Sequence, residues 1–339
     1  MTVPELNFDH VSRLSTAIGL YEHALLTAPR RDHGYCVDDV ARGLVLTSRQ
    51  PEPSVEVRQL TSTYLRFLGG AQDGGGRFRN RRRDDGSWAD EASTGDHWGR
   101  ALWALGTVAA ASTEDDVREF ALVHAAIGLQ ARSSSVRATA HAAIGAYEVL
   151  RALPGDPGAR AMLAVARLAV AGPGSGPSWP WPEARLFYAN ALLPEAMLVI
   201  GSGLGDDAVL QRGLSLLVWL LEVQTRDGHL SVIPTGGWQL GERRPGFDQQ
   251  PIEVTALAEA CARALEMTGD PAWKIGLDRC VEWFLGANDV GIAMYDPVSG
   301  GGFDGLEAGG VNRNQGAEST LAALTTFQLA RRVAALVEL

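Results

Sequence analysis

Apolar positions recur along this chain at helical spacing with little interruption, and two kinds of helix alternate. One kind has a single apolar face with charges opposite it. The pattern predicts these near residues 10–27, 54–69, 114–132, 156–171, 205–224 and 270–286. The other kind is small and apolar nearly all round, and is predicted near 38–48, 96–111, 136–151, 186–201, 250–267 and 316–332. A helix that is apolar on every side must be buried on every side. Dry helices alternating with wet ones therefore predict two concentric rings.

The connections agree with this. Links from a dry helix to the next wet one are short, such as Ser112-Thr113 and Gly269-Asp270, which makes antiparallel hairpins. Most links from wet to dry are long and glycine-rich, the clearest being 70–95, 172–185, 225–249 and 287–315. The alternation puts every long loop at one end, at the N-termini of the inner helices. Function concentrates in long loops on a rigid scaffold, so this end is the expected working face. The expected architecture is all-α: one domain over 1–339, a toroid of six helical hairpins closed by contact between the first and the last.

Composition narrows the function. Of 339 residues, 46% are hydrophobic, enough for a large core, and the net charge of −10 excludes nucleic acid as a partner. The dense basic run, with Arg77, Arg79, Arg81, Arg82 and Arg83, is followed by Asp84, Asp85 and Asp90. It reads as a solvated loop, or as a holder of an anionic or polyhydroxylated ligand. Cys36, Cys261 and Cys280 form no disulfide framework, and no CxxC or Cys-His spacing marks a zinc site. No metal and no cofactor is expected. Residues 1–20 lack a signal-peptide pattern, and apolar runs such as Ala101 to Ala111 are too short for a bilayer. A cytoplasmic protein without membrane contact is expected.

Candidate chemistry sits where each inner helix begins. The first presents Asp38, Asp39 and Arg42; the second Asp96, His97, Trp98 and Arg100; the third Arg137 and His141. The fourth presents Arg185, Tyr188, Asn190 and Glu195; the fifth Asp248, Gln249, Gln250 and Glu253; the sixth Asn312, Arg313, Asn314, Gln315 and Glu318. Acidic residues at helix starts are ordinary caps and also suit the dipole. Asp39, Glu253 and Glu318 lie inside the first turn, however, and would point inward, where an unpaired charge costs several kcal/mol. A wet, ligand-holding hollow removes that cost. The loops add Trp88, Trp179, Trp181, Phe187, Trp238, Phe247 and Phe303, whose faces suit sugar rings if they do not simply pack the loops down. His33, His97 and His141 follow no metal pattern such as HExxH, and each reads first as a structural histidine.

The strings HGYCVDDVARGL, GDHWGRALWALG, SWPWPE, YANALLPEA, FDQQPIEVTALAEA and GGFDGLEAGGVNRNQGAESTLAAL spread over most of the chain. On these strings the chain resembles the six-hairpin (α/α)6-barrel superfamily of carbohydrate-active proteins. Within it, the resemblance is to bacterial proteins found alone or fused behind a glycosyltransferase domain. The resemblance implies an (α/α)6 toroid, a sugar ligand and a glycosyltransferase as a partner. It does not choose among glycosidases, uronyl hydrolases and sugar epimerases.

The favoured expectation is glycoside hydrolysis, which needs a protonated acid and a second carboxylate. Asp96, flanked by His97 and Trp98, is the expected acid, and Asp39 or Glu253 the base. Asp38, Arg42, His97, Arg100, Tyr188, Asn190, Asp248, Gln249, Gln250, Asn314, Gln315 and Glu318 are expected to bind hydroxyls, with Trp181 and Trp238 stacking on sugar faces. The alternatives are a non-catalytic glycan-binding partner of a glycosyltransferase, and a sugar epimerase or isomerase using His97 or His141.

Overall fold

The computed structural model describes residues 2–337 apart from 173, 175 and 177. Within them run twelve α-helices: α1 (Asp9–Leu14), α2 (Val37–Ser48), α3 (Val55–Ala71), α4 (Asp96–Ala111), α5 (Asp115–Gly128), α6 (Val136–Ala152), α7 (Pro157–Val170), α8 (Leu192–Leu204), α9 (Asp207–Val223), α10 (Pro251–Thr268), α11 (Ala272–Phe284) and α12 (Ala317–Val337). Sheet among the described residues amounts to five two-stranded antiparallel pairs, all in loops.

Even-numbered helices pack side by side in chain order, and α12 returns to α2, which closes the inner ring. Each odd-numbered helix lies outside its even-numbered neighbours, with α1 against α12. Burial separates the two rings. Thirteen of the eighteen residues of α10 are buried, but only three of the fourteen in α5. Local chemistry sets the helix ends. Ser54, Ser135, Asp156 and Asp206 cap α3, α6, α7 and α9 through their side chains. Pro157 and Pro251 occupy the first helical position of α7 and α10, where their missing N–H is no loss.

One wall of the inner ring is drawn in by glycine. A Cβ on Gly99 would sit 2.2 Å from the Ala138 carbonyl oxygen, one on Gly106 2.2 Å from that of Gly145, and one on Gly145 2.3 Å from that of Leu102. The backbones of α4 and α6 therefore touch.

Two expected helices are shorter than their apolar pattern. The first wet helix, expected over 10–27, stops at Leu14. The Thr16 hydroxyl takes the amides of Ile18 and Gly19, offering the backbone a turn in place of the helix, and a small hairpin pairs Ala24–Leu25 with Ala28–Pro29. The fourth dry helix, expected from 186, begins at Leu192. Asn190 Oδ1 accepts the Phe187 amide, and Ala189 has φ +45°, so residues 187–190 form a turn.

Candidate active site

Asp38 and Asp39 enter the ring on the first turn of α2, Arg42 one turn later, and Arg100 from α4. Tyr188 reaches in from the turn before α8 and Glu318 from the first turn of α12. The Tyr188 hydroxyl is the hub of this group. It accepts from Arg42 Nη2 at 2.7 Å and from Arg100 Nη2 at 3.0 Å, and donates to Glu318 Oε2 at 3.0 Å. Arg42 also reaches Asp39 Oδ1 and Glu318 Oε2, both at 2.7 Å. Arg100 pairs with Asp38 at 2.5 Å, and its guanidinium lies 5.6 Å from the Tyr188 ring centre. Three carboxylates, two guanidiniums and one phenol thus form a continuous layer across the ring.

The layer is only partly sealed. The side chains of Asp38 and Glu318 keep 21% and 32% of their exposure, whereas those of Arg42 and Asp39 keep 8% and 4%. Asp38 and Glu318 are therefore the carboxylates that a solute can touch. Below the layer lies a cavity of about 50 Å³ lined by Arg42, Arg100, Trp103, His141, Glu195 and Glu259 among others, which is room for a few waters and not for a sugar ring. Phe187, next to Tyr188 in the chain, remains 46% exposed under Arg185.

The electrostatics differ from one carboxyl to the next. Burial opposes ionisation of Asp38, but Arg100 and Arg42 overcome it and hold its pKa below the ordinary range. Burial pushes Asp39 up to about 6 against the pull of Arg42. Tyr188 is raised by burial, so it keeps the proton it donates to Glu318. His141 is driven well below its usual value by burial and by Arg100 and Arg42, which leaves a neutral imidazole on the cavity wall. Asp304, whose Oδ1 accepts the Gly316 amide at the start of α12, is raised by burial.

Tyr188 is held from behind. Glu253 accepts from the Ala189 amide, and also from the Asn190 amide at 3.2 Å and side chain at 2.8 Å. Arg137 Nε donates to the Tyr188 carbonyl at 2.7 Å while its guanidinium grips Glu183 at 2.6 and 2.9 Å. A non-glycine residue at positive φ costs about 1–3 kcal/mol, and these bonds hold it there.

Of the expected site residues, the structure gathers Asp38, Asp39, Arg42, Arg100, Tyr188 and Glu318. It ties others into the scaffold. Trp181, expected to stack on a sugar, is fully buried and stacks on Trp219 with ring centres 6.0 Å apart. Glu253, expected as a base, spends its oxygens on the 189–190 backbone and Asn190, which is itself fully buried. Gln249 accepts from Val232 and Trp283, and donates to Gly246 and Asp289. Gln315 accepts from Ser299 at 2.8 Å and is buried. His97 Nε2 lies 2.9 Å from the Phe78 carbonyl oxygen. Asp96, expected as the acid, accepts from Ser135 at 2.8 Å, which bridges the starts of α4 and α6. Asn314 accepts the Leu26 amide. Trp238, half-buried, stands edge-on to Trp179, Gln250 precedes α10 without a side-chain cap, and Asp248 is exposed beside it.

Two residues went unassigned at the sequence level. Asp304 lies in the GGFDG string but carries no periodic signal. Glu183, in SWPWPE, becomes notable only through Arg137. The one group of metal-ligating type among the described residues is Glu22, Cys36 and Asp39, whose ligating atoms lie within 4.8 Å of each other. Arg81 binds Glu22, Arg42 binds Asp39, and burial raises the Cys36 thiol, so both carboxylates of the group are already paired. No described helix is long and apolar enough to cross a membrane.

No protein-family model matches the chain, and no curated protein is similar to it in sequence. Solved structures are similar in fold. A sugar epimerase from a ruminal bacterium superposes with a TM-score of 0.69 at 14% identity, covering 95% of each chain. A GH76 α-mannanase of Bacteroides thetaiotaomicron gives 0.68 at 8% identity over 97% of this chain and 94% of its own. A cellulase of C. cellulolyticium, solved with cellobiose, gives 0.63 at 8% identity over 93% and 88%.

Proposed function

From this fold, the (α/α)6 barrel of the six-hairpin glycosidase-like superfamily, we propose that the protein acts on carbohydrate at the long-loop end of the ring, and that the reaction is hydrolysis of a glycosidic bond. The observation that carries the reading is the layer in which Tyr188 joins Arg42, Arg100 and Glu318. It presents two carboxylates to solvent and places fixed donors behind them. Glu318, which accepts from the Tyr188 hydroxyl and is paired with Arg42, takes the role of base or nucleophile. Asp304, which accepts the Gly316 amide just before the same helix and is raised by burial, holds a proton longer than an ordinary carboxylate and takes the role of acid. Asp38 accepts sugar hydroxyls beside Arg100, and exposed Phe187 offers a ring face. Glycan-binding without turnover would use the same contacts. The glycosyltransferase partner implied by the resemblance gains no support from the structural matches.

The test is turnover on an oligosaccharide panel with product analysis. Glu318→Gln and Asp304→Asn are expected to lower kcat by about 10²–10⁴-fold with helicity unchanged. Full activity in both variants, with loss in Asp96→Asn, would return the acid to the position expected from sequence. Saturable binding without product would leave a glycan-binding module.

A second reading rests on His141. A sugar epimerase shares this fold, and His141 lines the inner cavity beside Arg42 and Arg100, where it could serve as the base of isomerisation or epimerisation only if the layer above it opens to admit the sugar. That reading predicts activity on free sugars that is lost in His141→Ala and kept in Glu318→Gln.

A further inference from the structure

At the opposite end of the ring, where α2 and α4 finish, opens a bowl of about 440 Å³, against about 50 Å³ for the cavity beneath the active-site layer. Five arginines line it, Arg49, Arg58, Arg151, Arg263 and Arg332, against two glutamates, Glu114 and Glu148. Such an excess of cations is notable in a chain of net charge −10. Three of the arginines are held by acids: Arg49 by Glu259 at 2.6 Å, Arg263 by Glu148 and Glu266, and Arg151 by Glu148 at 3.0 Å. The other two have no carboxylate within ion-pair distance among the described residues. Arg58 donates to the Pro53 carbonyl, and Arg332 is exposed, with Arg49 and Arg263 as well as Glu259 and Glu266 nearby.

The remaining lining mixes hydroxyls and the Gln50 amide with the apolar Pro51, Pro53, Val108, Ala110, Ala111 and Val117. Gln50 presents a buried Nε2 donor with no acceptor among the described residues. Ser48 and Thr61, both partly exposed, donate to carbonyls of their own helices, which leaves their oxygen lone pairs for a ligand's hydroxyls. Nothing in the proposed reaction uses this end of the molecule.

We propose that the bowl is a second binding site, for a phosphate-bearing polyhydroxylated small molecule whose oxyanion is held by Arg58 and Arg332. A phosphate offers acceptors to two uncommitted guanidiniums, and Arg is the side chain best shaped to grip it. The hydroxyl-rich wall accepts the sugar portion. The site is independent of the reaction assigned above, and its test needs no turnover.

The experiment is isothermal titration of the full chain with sodium pyrophosphate and with glucose 6-phosphate, glucose serving as the control, at low and at moderate salt. Saturable one-to-one binding of either phosphate that weakens with salt, with none for glucose, is expected. Arg58→Ala/Arg332→Ala is expected to weaken that binding at least tenfold while turnover at the long-loop end is kept. Should the double alanine variant fail to fold by circular dichroism, Arg58→Gln/Arg332→Gln replaces it. Absence of phosphate binding in the wild type overturns the proposal. So does equal binding in the double variant, which would place the anion elsewhere, as on the Arg77–Arg83 loop.

Discussion

Tyr188 is the hub of the polar layer because one phenol has one proton to give and two lone pairs to offer, and all three are used within the ring. Tyr188→Phe removes only that oxygen. It takes one acceptor from each guanidinium, leaving Arg42 to Asp39 and Glu318 and Arg100 to Asp38, and takes one donor from Glu318, and is expected to lower kcat/KM by about 10²-fold or more with little change in helicity, as steady-state kinetics and circular dichroism would show. Asp39 gives a second expectation at this scale. Its pKa rises from 3.8 to about 6 on folding, so between those values the native state binds more protons than the unfolded one. Stability from this group therefore falls as pH rises through that window and is level above it, by about 3 kcal/mol in all. Asp39→Asn should flatten the dependence of Tm on pH between 4 and 6. An unchanged slope would mean that Asp39 titrates as an ordinary carboxylate.

Among the elements, the pair α4 and α6 is held to backbone contact by Gly99, Gly106 and Gly145, and Arg100 and His141 are carried on those same helices. Gly106→Ala would gain about 1 kcal/mol of helix propensity. Its Cβ would fall 2.2 Å from the Gly145 carbonyl oxygen, however, and neither backbone can yield locally. Overpacking of this kind costs about 1–3 kcal/mol, so a net loss in Tm is expected, together with reduced activity as Arg100 shifts from Asp38. The helices themselves were legible wherever packing and sequence pattern agree, as in α3, where Val57, Leu60, Tyr64 and Leu68 form one buried face. The pattern misled where a local side chain outbid the helix. Thr16 captures two amides after α1, and Asn190 captures the Phe187 amide before α8.

Across the whole molecule, closure depends on the chain's beginning meeting its end. His10 Nε2 lies 2.7 Å from the Gln315 carbonyl oxygen, the Ala317 amide donates to Glu22, and the Gln315 amide to Leu26. The α1 residues Val11 and Leu14 are fully buried beside α12. A closed ring has no free end from which to fray, so calorimetry should show one cooperative transition rather than separate unfolding of the two halves. Leu14→Ala is expected to lower stability by about 2–5 kcal/mol and to shift that single transition as a whole. Two resolved transitions would show that the ring opens into parts.

What the sequence determined by itself is the alternation of dry and wet helices and of short and long links. Burial of an all-apolar helix and the reach of a short loop are local demands, and they force two rings with the long loops at one end. It also marked the inner-helix starts as the polar positions. Which of those polar groups meet was decided only in three dimensions. Asp38, Arg100, Tyr188 and Glu318 come from four separate segments, whereas Glu253, Gln249, Gln315 and Trp181, of the same residue types and at the same helix ends or loops, satisfy backbone or core instead. A side chain's hydrogen-bond capacity is written in its identity, but its partner is set by the register at which one helix packs on the next, and that is fixed by contacts such as the glycines between α4 and α6, far from the polar group itself.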